Sequence, residues 1–377
     1  MARNTIAHID PSAIAHNLER VREYAPDSRV MAVVKADAYG HRIDLCLPAL
    51  ERADMLAVAT IEEARAIRRL GNGLPVLLLE GVNDHGDLAV AADLGLELTV
   101  HHEHQLAALE RFGRSPAARL WLKIDTGMHR LGVPVEAAAD MHRRLRAVPG
   151  VEQVNLVSHF ACAEEPSHPL NALQLERFHR ATRDLEGERC LANSAGLINL
   201  PEARFEWVRA GLVLYGISPL PGQPGPSLGL EPAMTLTAEL MAVNRVAAGE
   251  SIGYGARFTA EHDMTVGVAS IGYGDGYPRS MADGAPVLVG GVTCRMCGRV
   301  SMDMITIDLA PCPRSRVGDE VVLWGRGLPI ETVAEAADTI PYELVCRITR
   351  RVRFRSRQWA MRQREASCGK MSGLSKP

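Results

Sequence analysis

From residue 30 to about 216 the chain alternates short apolar β-like runs with amphipathic helical stretches, eight times over. The runs are Val30–Lys35, Met55–Thr60, Val76–Glu80, Leu96–Val100, Leu120–Asp125, Val154–His159, Cys190–Ser194 and Trp207–Arg209. Helical patterns such as Ile61–Gly71, His104–Phe112, Val135–Val148 and Asn171–Leu185 lie between them. Near-continuous apolar runs need cover on both faces, which a parallel sheet with crossover helices supplies. Eight such repeats argue a parallel (β/α)8 TIM-like barrel, an α/β fold.

Pro219 to Pro226 is a loop by composition, and the pattern changes after it. Val266–Ile271, Pro286–Val289, Val292–Met296, Met304–Leu309 and Glu320–Leu323 read as short strands, with Gly290-Gly291 as a hairpin turn. The expected division is a barrel over 1–230 and a smaller, mostly-β C-terminal domain over 231–377. The second domain should carry a helix across Ile330–Ala337 and a weakly ordered tail after Phe354. A length of 377 residues suits two such units.

Composition narrows the class of function. Apolar content of 47% and charged content of 23% are ordinary for a soluble enzyme. The net charge, 42 minus 45 or −3, gives no ground for nucleic-acid binding. No apolar run reaches the roughly eighteen residues of a membrane span. The first residues lack the apolar centre of a leader peptide, and the eight cysteines are scattered, so a cytoplasmic, reducing location is expected.

The polar residues at the run ends form one geometric class. Lys35 ends the first run. Lys123 and Asp125 end the fifth, with Arg130 in the loop beyond. His159 ends the sixth, Asn193 and Ser194 the seventh, and Arg209, Gly211 and Leu212 follow the eighth. Strand ends are often polar, and an isolated lysine there usually reaches for water. Five strands delivering such groups to one barrel face instead point to a catalytic mouth. A lysine held there is a nucleophile toward an aldehyde. The loops after strands seven and eight often bind phosphate. An amine of that kind beside a phosphate site implies pyridoxal 5'-phosphate. Arg209 cannot yield a proton to a pyridine nitrogen, so the ring would stay a weak electron sink, suited to removing and returning one proton.

The chain resembles the alanine racemase family, fold-type III pyridoxal phosphate enzymes, over roughly residues 5 to 352. The resemblance rests on Val33 to His41, Lys123 to Gly132, Ser158 to Ala161, Ala192 to Ala195, Arg209 to Gly211, Gly253 to Ala256, Ile271 to Gly276 and Ser301 to Asp303. It implies interconversion of L- and D-alanine by a two-base mechanism, in the supply or the breakdown of D-alanine. Lys35 would carry the cofactor and serve as base on the D face, with Tyr254 as the opposing base. Arg130 and the backbone of Met302 would hold the substrate carboxylate. Arg209 would contact the ring nitrogen, with His159 orienting it and lowering the basicity of the Tyr254 phenol. Tyr39, Ser194, Gly211 and Leu212 would hold the phosphate, with Asn193 and His159 also among the cofactor-binding residues. Lys123, Tyr273 and Asp303 would support the site, and no metal is implied. The family also implies a head-to-tail homodimer with shared active sites. Asp37 stands where the family more often has Asn, Arg42 where Gly is usual, and Arg350 where some members place a phosphate-contacting tyrosine.

Other readings fare worse. An amino-acid decarboxylase of this architecture carries a Gly-Glu-Pro-Gly-Arg-like loop and a Cys-Asp pair, and neither is present. A non-catalytic pyridoxal phosphate carrier is a lone barrel. A serine or broad-specificity racemase of the same fold remains open as to substrate. His101 to His104 and the Cys294/Cys297 pair lack partners at metal-ligand spacing and read as surface and strand residues. The arginines from Arg347 to Arg364 read as an edge strand and a solvated tail.

Overall fold

The computed structural model describes residues 4–82, 84–113 and 115–357. Eight parallel strands close into a barrel: Arg29–Val33, Met55–Val58, Val76–Leu78, Leu96–Val100, Arg119–Asp125, Gln153–Val157, Arg189–Cys190 and Trp207–Ala210. Closure comes from the last strand pairing with the first, Trp207 to Ala210 lying opposite Arg29 to Ala32. Met55–Val58 and Val76–Leu78 are buried at every position, which is why they read as unbroken apolar runs. The covering helices have clear starts. Ile61–Arg69 opens with a capping box between Thr60 and Glu63, and its acidic first turn and basic last turn suit the helix dipole.

The second unit is an antiparallel sheet built on one long strand, Met234–Val246. That strand pairs with Met264–Ala269 on one stretch and with Glu320–Trp324 on another. Ile305–Asp308, Val292–Met296 and Pro286–Val289 complete the ring. The expected helix lies at Ile330–Ala336.

The N-terminal strand crosses the expected division at residue 230. Ile6–Ile9 does not enter the barrel; it pairs antiparallel with Met234–Val246 and parallel with Arg353–Ser356. A four-residue strand has no local mark of which sheet it will join, and its partners lie more than 220 residues away. Arg353–Ser356 is the edge strand of that sheet. The expected weakly ordered tail therefore begins with a strand, and the rest of it, beyond residue 357, lies outside the described residues.

Candidate active site

The first barrel strand ends at Val33, and Lys35 opens the segment beyond it rather than finishing the strand. That segment is unusual. Ala36, Asp37, Ala38 and Tyr39 all have φ between +52° and +56°, forming one turn of left-handed helix that closes on Gly40 at φ +73°. Gly40 has no alternative: a Cβ there would lie 2.1 Å from the carbonyl oxygen of Val345. The turn lifts Lys35 to the barrel mouth and lays Tyr39 inward. Two of the departures from the family pattern, Asp37 and Arg42, meet here. Arg42 takes the glycine position at φ +67°, and its guanidinium lies 3.6 Å from the Asp37 carboxylate and 3.2 Å from Asp44.

A cavity of about 620 Å³ opens at the C-terminal ends of the barrel strands. It brings together Lys35, Tyr39, Lys123, Arg130, His159, Asn193, Ser194, Arg209 and Gly211. Glu80 and Tyr342 also line it and were not among the expected residues. Arg350, expected at the tyrosine position, is exposed and outside the lining. Tyr342, on the helix Pro341–Cys346, lines the cavity with its ring centroid 5.7 Å from that of Tyr39.

Four cations converge on this space. Burial first, and then Arg209, Lys123, Arg130 and Lys35, hold the His159 imidazole well below its ordinary value, so it is neutral. Arg209 donates from Nη2 to His159 Nδ1 at 2.5 Å and to the Ser158 carbonyl at 3.2 Å, and from Nη1 to Cys190 Sγ at 3.2 Å. Since arginine only donates, Nδ1 is the acceptor and the His159 proton sits on Nε2. The guanidinium has five N–H groups, and these contacts leave capacity for a further acceptor such as a pyridine nitrogen. Lys123 is pushed down to about 8, by burial and then by Arg209, Arg130 and Lys35, with Glu80 opposing.

An anion cradle sits beside them. Gly211 donates its N–H to Ser194 Oγ at 3.0 Å, and a Cβ on Gly211 would lie 2.9 Å from the Tyr39 hydroxyl. Burial, with Tyr342 and Cys346 beside it, pushes the Tyr39 phenol far above its ordinary value, so it stays a neutral donor. A hydroxyl, a phenol and a side-chain-free backbone thus meet at one point, which suits a phosphate. Leu212 is buried in the following 3-10 turn. Asn193 has a structural duty as well: its side chain caps the helix Ser194–Asn199 through the Gly196 N–H at 2.9 Å. Arg130 is projected by a loop whose Gly127, Met128 and His129 N–H groups all donate to Asp125 Oδ1, at 2.9, 3.1 and 3.1 Å.

Tyr254, Tyr273, Met302 and Asp303 do not line the cavity. They sit on the second unit, where Tyr254 is 68% exposed and Met302 52%. Their own arrangement is tight. Tyr273 donates its N–H to the Ser301 carbonyl at 3.0 Å and Gly274 to the Met302 carbonyl at 2.9 Å, while Arg351 pairs with Asp303 and lies 3.4 Å from the fully buried Asp275.

Comparison with known proteins bears on the family and the fold. Residues 9–219 match the family model described as the alanine racemase N-terminal domain, and residues 233–356 the C-terminal domain. The alanine racemase of Vibrio parahaemolyticus is 48% identical over 347 residues, covering 92% of this chain and 97% of the relative. The crystal structure of biosynthetic alanine racemase from Pseudomonas aeruginosa superposes with a TM-score of 0.91 at 45% identity, covering 94% of this chain and 100% of that one. A third, alanine racemase from Bartonella henselae with covalently bound pyridoxal phosphate, superposes at 0.84 with 28% identity over 94% of this chain and 99% of its own. With both domain models matched and the relatives covered nearly end to end, this chain belongs to the alanine racemase family.

Proposed function

We propose that the barrel mouth binds pyridoxal 5'-phosphate and that this chain uses it to interconvert L- and D-alanine. The observation that supports this most is the convergence of Lys35, Arg209 and the Tyr39–Ser194–Gly211 cradle on one cavity. When bound, the cofactor supplies an aldehyde and an electron-withdrawing ring that together make the Cα–H of an attached amino acid acidic. Lys35 Nζ would hold the aldehyde and carry the proton on one face of the substrate. Arg209, always charged, would hydrogen-bond the ring nitrogen without protonating it, keeping the electron sink weak and side reactions few. Arg130 would clamp the substrate carboxylate through a charge-assisted pair.

The opposite face needs a second acid–base group, and the two tyrosines that line the cavity, Tyr39 and Tyr342, pack against each other with ring centroids 5.7 Å apart. Tyr39 sits against Gly211 as a phosphate donor. Tyr254 and the Met302 backbone fit the duty only if a second copy of the chain brings them to this mouth. The proposed assembly is a head-to-tail homodimer, supported by the exposure of both residues on the second unit. The His159 Nε2–H would then face the Tyr254 phenol and stabilise its oxygen on losing the proton. Seven described cysteines are free thiols, which supports a cytoplasmic location, and no helix among the described residues is long and apolar enough to cross a membrane.

The direct test is racemisation of a panel of small amino acids by the cofactor-loaded protein, followed by chiral chromatography. Alanine should turn over best, with serine next. Preferred turnover of serine or of larger residues would move the reading to a serine or broad-specificity racemase.

Lys123 has a further role in this reading. At about 8, its amine is about a tenth neutral at pH 7, where an ordinary lysine is below about a thousandth. Carbon dioxide adds to a neutral amine with loss of one proton, giving a carbamate anion. That anion would fix Arg130 by a bidentate pair. Labelled bicarbonate should therefore produce a carbamate carbon-13 resonance that is absent from Lys123→Met. A spectrum without that resonance at pH 8 would rule the modification out.

A further inference from the structure

We propose that His41 is the positioning residue for Tyr39, acting together with one buried water that it shares with Trp324. The inference rests on the cofactor reading above, in which Tyr39 meets the phosphate.

The left-handed turn from Ala36 to Tyr39 needs an explanation, because each L-residue in that conformation costs about 1–2 kcal/mol. The outer side of the turn is held by Glu63, whose Oε1 accepts from the Ala36 N–H at 2.7 Å. The inner side is held by His41. Its Nδ1 lies 2.8 Å from the Tyr39 carbonyl oxygen and 3.1 Å from that of Ala38. Both are acceptors, so Nδ1 carries the hydrogen and Nε2 is left with a lone pair. The His41 ring also stacks on Tyr215 at 4.5 Å and 29°, and Tyr215 packs on Tyr39 at 5.2 Å. Tyr215 is anchored in turn by donating to the Val33 carbonyl at 3.0 Å. His41 thus grips the Tyr39 backbone and, through Tyr215, its ring.

The other edge of His41 is unfinished. Its Nε2 is fully buried without a partner, and so is the indole Nε1 of Trp324. Both residues line one cavity of about 20 Å³ between the barrel end and the second unit. That volume holds one water molecule and little else. One nitrogen is an acceptor and the other a donor, so a water can donate to His41 Nε2 while accepting from Trp324 Nε1–H. The bond at Nε2 fixes the tautomer that grips Tyr39, as an outer hydrogen bond does for a ligating imidazole.

The test titrates apoprotein with pyridoxal 5'-phosphate and, separately, with pyridoxal, which lacks the phosphate that Tyr39 would meet. His41→Phe keeps an aromatic ring and removes the donor. It should bind the phosphorylated cofactor about tenfold more weakly, the upper worth of one neutral hydrogen bond, and pyridoxal within about twofold of the parent. His41→Asn restores a donor near the Nδ1 position and should recover most of the loss. Trp324→Phe should weaken the phosphorylated cofactor about threefold and leave pyridoxal unchanged. Equal weakening of both ligands would make His41 a general packing residue, and no weakening of either would also overturn the proposal. Should His41→Phe fail to fold, Trp324→Phe decides by the same comparison. Failure of the parent protein to bind the cofactor would count against the cofactor reading instead.

Discussion

Lys35→Ala is expected to abolish racemisation, by about ten-thousandfold or more, because it removes both the covalent anchor of the cofactor and one of two acid–base groups. The same substitution should erase the visible absorption of the loaded protein and let the cofactor exchange on gel filtration. The cradle of Tyr39, Ser194 and Gly211 is untouched by the change, so some reversible binding of the phosphate should persist. The fold should be indifferent, since Lys35 lies beyond the strand Arg29–Val33 and its amine faces the cavity. Circular dichroism and the unfolding midpoint check that point. A variant that kept its colour and turnover would remove Lys35 from the chemistry.

Tyr254→Phe is expected to slow racemisation about a thousandfold, the upper range for one acid–base group, with a different signature. Phenylalanine retains the ring and loses the proton-carrying oxygen. Lys35 still faces one side of the substrate, so D-alanine should continue to exchange its α-hydrogen with deuterium oxide. L-alanine should not, because its α-hydrogen points at the missing oxygen. Proton NMR in deuterium oxide reads both exchanges in one sample. Loss of exchange from both enantiomers would mean that Tyr254 builds the site rather than carrying one of the two protons.

The barrel was legible because strands such as Met55–Val58 and Val76–Leu78 are apolar and buried at every position, and the strand-end polar residues follow from that register. Lys35, Lys123, His159, Ser194, Arg209 and Gly211 meet in one cavity as the alternation of runs suggests. What the sequence hid is long-range or conformational. Ile6–Ile9 finds its partner strand across the whole barrel. Met234–Val246 bends through a register shift near Leu240 and Ala242 and contacts two different strands, so its thirteen residues lack one clean alternation. The left-handed turn at Ala36 to Tyr39 is built of residues that show no glycine cue. Its stabilisers, Glu63 and His41, act through backbone carbonyls and amides that no motif spells out. Tyr342 was missed because it reaches the cavity from the helix Pro341–Cys346, far along the chain from every strand end of the barrel.

A mixed-dimer experiment decides whether the site is shared between two copies of the chain. Lys35→Ala and Tyr254→Phe are prepared separately, each nearly inactive, then unfolded and refolded together. In a mixed dimer with twofold symmetry, both defects fall in one site and the other site is intact. Random pairing makes about half of the dimers mixed, so activity should return to roughly a quarter of the parent value. If activity stays at the level of the single variants, with mixed dimers confirmed by mass spectrometry, then Lys35 and Tyr254 act within one chain and the shared-site account is wrong.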